Sequence, residues 1–156
     1  MSDIADPDQT EVQLEQIEEN FAQLAGPLVG IIMGSKNDME KMLPAEKYLS
    51  EQGIKSEVHV MSAHRDPEKV REFCMTARAR GLKVIIAGAG MSAALPGVAA
   101  AQSDLPVIGV PILGKSLGGL DALLSVAQMP PGIPVACVAI DGAKNAGVLA
   151  ARIINA

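Results

Sequence analysis

Aromatic side chains are nearly missing from this chain. There is no tryptophan, and the only Tyr and Phe residues are Tyr48, Phe21 and Phe73. Single-stranded nucleic acids are held by stacking bases on such rings, so a stacking platform is excluded. Positive charge is also short. Thirteen Lys and Arg against eighteen Asp and Glu leave a net charge of −5, the wrong sign for a binder of phosphate backbones. The apolar runs are brief and broken by Gly, Pro or charge, so no membrane span is expected. The first residues are acidic, opposite to the start of a secretory signal. The two cysteines, Cys74 and Cys137, stand in apolar or helical runs and point to a reduced, cytoplasmic setting. No Cys/His/Asp cluster has metal-ligand spacing, and no Walker A loop, G-x-G-x-x-G turn or G-x-S-x-G elbow occurs. Nucleoside triphosphate chemistry, dinucleotide binding and serine hydrolysis lose their usual signatures together.

What is present is Ala, Val, Ile and Gly in short alternating blocks. Residues 1–27 differ from the rest: Glu11, Glu15, Glu18 and Glu19 make them acidic, and Leu14, Ile17, Phe21 and Leu24 recur at helical steps. They read as an amphipathic helical extension whose stripe docks on the domain or on a neighbouring subunit, stopped by Gly26-Pro27. Residues 28–156 read as a single domain, large enough for an ordinary core.

Within that domain strands are expected at about 28–33, 54–60, 83–87, 106–110 and 134–138. Helices are expected at about 38–52, 67–80, 94–102, 118–127 and 143–154. Pro44 should kink the first helix or mark its true start, because it lacks an amide donor. Five buried strands alternating with helices imply a three-layer α/β/α, doubly wound parallel sheet with strand order 2-1-3-4-5. Strands one and three then leave the sheet on opposite sides, and a crevice opens at their carboxyl ends. The ligand site should combine residues 34–38, 62–65 and 88–94.

Three stretches supply the chemistry. Ser62-Ala63-His64-Arg65-Asp66-Pro67 follows the second strand and pairs a proton-moving imidazole with an anion-gripping guanidinium. His59, the other histidine, lies within the strand and reads as structural. Gly34-Ser35-Lys36-Asn37-Asp38 opens the first helix. Ser35 and Asp38 have capping-box spacing, and the hydroxyl with free amides can also cradle a phosphate while Asp38 accepts from sugar hydroxyls. The run from Gly88 through Gly90 and Ser92 to Gly97 is made of small residues, so its backbone can approach a flat ligand or simply pack tightly.

Taken with GLDALLS (119–125), QMPPGIPVA (128–136) and AKNAGVLAARI (143–153), these motifs resemble one purine-biosynthetic family across about residues 28–154. It comprises the N5-carboxyaminoimidazole ribonucleotide mutases and the aminoimidazole ribonucleotide carboxylases. The resemblance implies a flavodoxin-like subunit, a homo-oligomer that is usually an octamer, and no metal or organic cofactor. The partners it implies are a small ribonucleotide and carbon dioxide. By motif position, Ser35 and Asp38 would hold the phosphate–ribose part, Arg65 the anionic groups, and Ser62 would orient the ligand. Gly90 and Ser92 would line the third loop, and His64 would be the catalytic proton shuttle. Mutases of this family carry a second histidine in the third loop, where this chain has Ala94. The direct carboxylases have a serine-containing, histidine-free loop like that of Ser92 and Ala94, but usually lysine in place of Arg65. Met39 stands where a tryptophan is familiar, and the chain stops at Ala156 without the usual long last helix. The expected activity is the mutase reaction. Its alternatives are direct carboxylation, a paralogue acting on another nucleotide, and a catalytically silent ligand-binding oligomer.

Overall fold

The computed structural model describes residues 11–17 and 25–156. Residues 11–17 are helical and exposed, including Val12, Leu14 and Ile17. Phe21 and Leu24, the remainder of the expected stripe, lie outside the described residues.

Five parallel strands form one sheet in the order β2-β1-β3-β4-β5. They are β1 (Val29–Met33), β2 (Ser56–Val60), β3 (Val84–Gly90), β4 (Val107–Ile112) and β5 (Ala136–Cys137). The helices between and after them are α1 (Met39–Glu51), α2 (Pro67–Ala77), α3 (Leu95–Gln102), α4 (Leu120–Ala127) and α5 (Ala143–Ile154). Side-chain alternation divides the core into two layers. Val29, Ile31, Met33, Val84, Ile86, Ile108 and Val110 face α1 and α5, packing on Met42, Ala45, Leu49, Ala146 and Ala150. Ile32, Ile85, Ala87 and Val107 face α2, α3 and α4, packing on Val70, Phe73, Ala99 and Val126. Each such large apolar side chain contributes about 1.5–3 kcal/mol on burial. The expected α/β/α layering and strand order are therefore present.

Four local expectations need correction. Strand five is two residues long, with Ala136 exposed and Cys137 half-buried, and it pairs on one side only, through Ile108 and Gly109. The other edge, β2, is half-buried throughout. Of the two expectations for Pro44, a kink or the true helix start, the second is wrong. The helix runs through Pro44 from Met39, and Ala45 and Leu49 beyond it stay fully buried. Packing on α5 outweighs the one missing amide donor. The α2 helix ends at Ala77 rather than near 80, with turn structure running to Gly81, whose φ is +95°. Strand three extends to Gly90, so Gly88 is inside the sheet rather than in the third loop.

Gly88 shows why small residues recur. A Cβ there would collide with the Met42 sulfur and lie 2.8 Å from its methyl carbon, so glycine leaves the room that Met42 fills over the sheet. Gly147 plays the same part between helices: an added Cβ would sit 2.9 Å from the Ala45 carbonyl oxygen, where α5 crosses α1. For these two glycines, tight packing is the reason.

Candidate active site

Parallel register brings the strand ends together. Met33 is level with Val60 on one side and Gly88 on the other, while Gly90 is level with Ile112. Just beyond, Met61 N–H donates to Met33 carbonyl at 2.8 Å, and Gly34 N–H donates to Gly88 carbonyl at 3.2 Å. The loops after β1, β2, β3 and β4 consequently open on one side of the sheet. They enclose a cleft of about 740 Å³ lined by Ser35, Asp38, Ser62, His64, Arg65, Gly90 and Ser92, among others. The three expected loops meet there. A fourth, from Ile112 to Ser116, completes the lining and was missed from sequence. Its only signal was Lys115, in a stretch between strand four and the next helix that no motif singled out.

The first loop is built by its cap. Ser35 is in extended conformation before a single 3-10 turn, Lys36–Asp38, and its hydroxyl oxygen accepts from Asn37 N–H at 3.2 Å. This replaces the bond to Asp38 N–H that capping-box spacing implied; Asp38 N–H instead donates to the Ser35 carbonyl at 3.1 Å. The tight 3-10 turn moves the hydroxyl's partner one residue earlier. Partial burial raises the Asp38 carboxyl above its ordinary value, and Asp141 adds to that. A hydrogen bond from the Ser35 backbone and the Lys41 and Arg65 charges pull the other way.

The second loop is a compact turn. Ser62, buried at 7% exposure, accepts from Arg65 N–H through its hydroxyl at 3.2 Å, and its carbonyl accepts from Asp66 N–H at 2.8 Å. Pro67 then opens α2 at its first turn, where no amide is needed. This turn turns His64 and Arg65 outward, and both are exposed. Arg65 reaches back to the first loop, its Nη2 donating to Gly34 carbonyl at 2.9 Å, rather than pairing with Asp66. His64 has no hydrogen-bond partner among the described residues, leaving both ring nitrogens open to a ligand. His59 lies outside the cleft, edge-on to Phe73 with ring centroids 5.4 Å apart.

In the third loop Met91 holds a left-handed φ of +54° and is exposed beside Ser92, while Ala94 lines the cleft without offering a side-chain donor. The fourth loop is pinned at its root. Leu113 N–H donates to Asp141 Oδ1 at 2.8 Å, and Leu113 carbonyl accepts from Lys41 Nζ at 2.9 Å. The arrangement can bind an anion between Ser35 and Arg65 and present an imidazole to a ligand lying across β1 and β3.

Comparison with known proteins finds close relatives. An N5-carboxyaminoimidazole ribonucleotide mutase of Aquifex aeolicus is 60% identical over 129 residues, covering 83% of this chain and 77% of that protein. The Pyrococcus abyssi protein of the same name is 58% identical over 129 residues, covering 83% and 74%. A phosphoribosylaminoimidazole carboxylase of Schizosaccharomyces pombe is 47% identical over 148 residues, 95% of this chain but 27% of that one. The crystal structure of Treponema denticola PurE superposes with a TM-score of 0.74 at 35% identity, covering 83% of this chain and 81% of that one. The family model described as AIR carboxylase matches residues 28–156, the whole of the α/β domain, and the chain belongs to that family.

Proposed function

We propose that the protein is an N5-carboxyaminoimidazole ribonucleotide mutase of purine biosynthesis. One observation carries the reading: Ser35, Asp38, His64 and Arg65 line a single cleft in a chain 60% identical to a protein of that name. The reaction moves a carboxyl group from the exocyclic nitrogen to ring carbon 4. Ser35 and Arg65 hold the phosphate, Asp38 accepts from the ribose hydroxyls, and Ser62 fixes the turn that presents the imidazole. The amides near Gly90 and Ser92 face the base.

Protonated His64 donates to the exocyclic nitrogen as its bond to the carboxyl carbon breaks, releasing carbon dioxide. Carbon 4 then attacks that carbon dioxide, and its proton returns to His64. One proton leaves the imidazole and one comes back, so the enzyme ends as it began. Holding both fragments in one cleft makes recapture faster than escape.

Direct carboxylation of free aminoimidazole ribonucleotide is the second reading, and Ala94 in the cleft favours it by removing the histidine expected of a mutase. Purified protein incubated with each substrate decides between them. The mutase reading predicts turnover of the N5-carboxy compound without added bicarbonate. Carbon 4 carboxylation obtained only from the free ribonucleotide plus bicarbonate would overturn it.

The working unit in this reading is a cytoplasmic homo-oligomer, an octamer by resemblance. Leu113, which lines the cleft, and Leu117, Leu120 and Leu124 are exposed, apolar side chains that another copy would cover. Sedimentation of the purified protein tests this, and a monomer at micromolar concentration would refute it.

A further inference from the structure

Two cationic side chains line the cleft, and the sequence motifs named one of them. Arg65 belongs to the loop after β2, whereas Lys115 belongs to the loop after β4. The strand order places β1 and β3 between them, so their loops stand about 14 Å apart at ordinary inter-strand spacing. Arg65 leans inward over β1 through its bond to Gly34 carbonyl, beside Ser35. The two positive charges therefore occupy opposite walls.

Lys115 is free to bind a ligand. It has no hydrogen-bond or ion-pair partner among the described residues, unlike Lys41, which is committed to Asp141 and the Leu113 carbonyl. Its loop is nevertheless held. Leu113, two residues earlier, is fixed through both its N–H and its carbonyl, and Gly114 packs near Met91 of the third loop. A free ammonium on an anchored loop is a ready anion site.

The proposed substrate has two anionic groups, a phosphate on the ribose and a carboxyl group on the aminoimidazole. With Ser35 and Arg65 on one wall taking the phosphate, the base points toward β3 and β4. Asp38 is on the phosphate side, and Ala94 on the far side brings no donor. We infer that Lys115 holds the substrate's carboxyl group and so distinguishes carboxylated from uncarboxylated aminoimidazole ribonucleotide. This rests on the mutase reading given above.

Equilibrium binding of two probes tests it: aminoimidazole ribonucleotide and its 4-carboxy derivative, measured on the full chain, Lys115→Met and Lys115→Arg. Lys115→Met should weaken the carboxylated probe roughly 10- to 100-fold, the range for a hydrogen bond to a charged group, and leave the uncarboxylated probe within about twofold. Lys115→Arg should recover part of the loss. Equal weakening of both probes would make Lys115 a phosphate ligand and overturn the inference, as would no change in either. If the unaltered protein binds neither probe, the mutase reading fails first and takes this assignment with it.

Discussion

Lys41 and Asp141 meet at 3.0 Å across the top of the sheet, joining the start of α1 to the residue two before α5. The pair also grips Leu113 from both sides, because Lys41 takes its carbonyl and Asp141 its N–H. Both side chains are about one-third exposed, so the ion pair itself is worth at most about 1 kcal/mol. Its importance lies in the loop it holds. Lys41→Met should raise KM several-fold with little change in kcat and cost about 1 kcal/mol of stability. Steady-state kinetics with a urea unfolding curve checks both, and an unchanged KM would remove the loop-anchoring role.

His64→Asn keeps a polar side chain of similar size but cannot exchange a proton near neutral pH. Turnover should fall by roughly 10²- to 10⁴-fold while ribonucleotide affinity stays within a few-fold. Parallel loss of binding and turnover would instead make His64 a ligand-positioning group.

The raised Asp38 carboxyl links folding to pH. Its folded value lies above the ordinary 3.8, so the folded state binds more protons than the unfolded state just above that pH. The contribution to stability is full below 3.8 and is lost as pH climbs through the raised value. Asp38→Asn has no such loss. Its melting temperature relative to the unaltered protein should therefore rise over that window and level off, even as ribonucleotide binding weakens. A difference independent of pH would contradict the assignment.

Gly88→Ala places a methyl group against Met42. Overpacking of this kind costs about 1–3 kcal/mol, and Met42 is flexible enough to keep the figure in the lower half. Adding Met42→Ala should relieve the clash, making the double variant more stable than the two single losses predict. Strict additivity in denaturant midpoints would show that the two side chains do not compete for space.

Burial pushes the Cys74 thiol up to about 11, against a small opposing pull from Arg80, while half-buried Cys137 is raised by burial alone. Both cysteines are free. In a thiol assay at pH 8 the folded protein should expose Cys137 slowly and Cys74 only on unfolding. Two rapidly reacting thiols in the native state would contradict this packing.

Periodicity made most of the fold legible. Val29–Met33 and Val84–Gly90 are continuous apolar runs that fit only a strand buried on both faces. Between them the helices announce themselves by spacing, and α5 spans Ala143–Ile154, the range expected. Where local pattern misled, a long-range contact prevailed. Pro44 reads as a kink or a true helix start, yet the helix begins at Met39 and runs through it, with Ala45 and Leu49 in the core shared with α5. Val135 and Val138 read as part of a full strand, yet only Ala136 and Cys137 fall in register with β4.

The site divides along the same line. Ser35, Asp38, Ser62, His64, Arg65, Gly90 and Ser92 stand beside strand ends in the sequence, and strand order alone predicts that their loops converge, because parallel strands must all end on one side. That much the amino-acid order determined. It could not say that Arg65 turns back to Gly34, that Ser35 caps Asn37 instead of Asp38, or that the loop bearing Lys115 joins the cleft. Those outcomes depend on register between β3 and β4 and on a clamp between residues a hundred positions apart, Lys41 and Asp141. Neither leaves a local trace, since each becomes favourable only once the sheet has brought its parts within hydrogen-bonding distance.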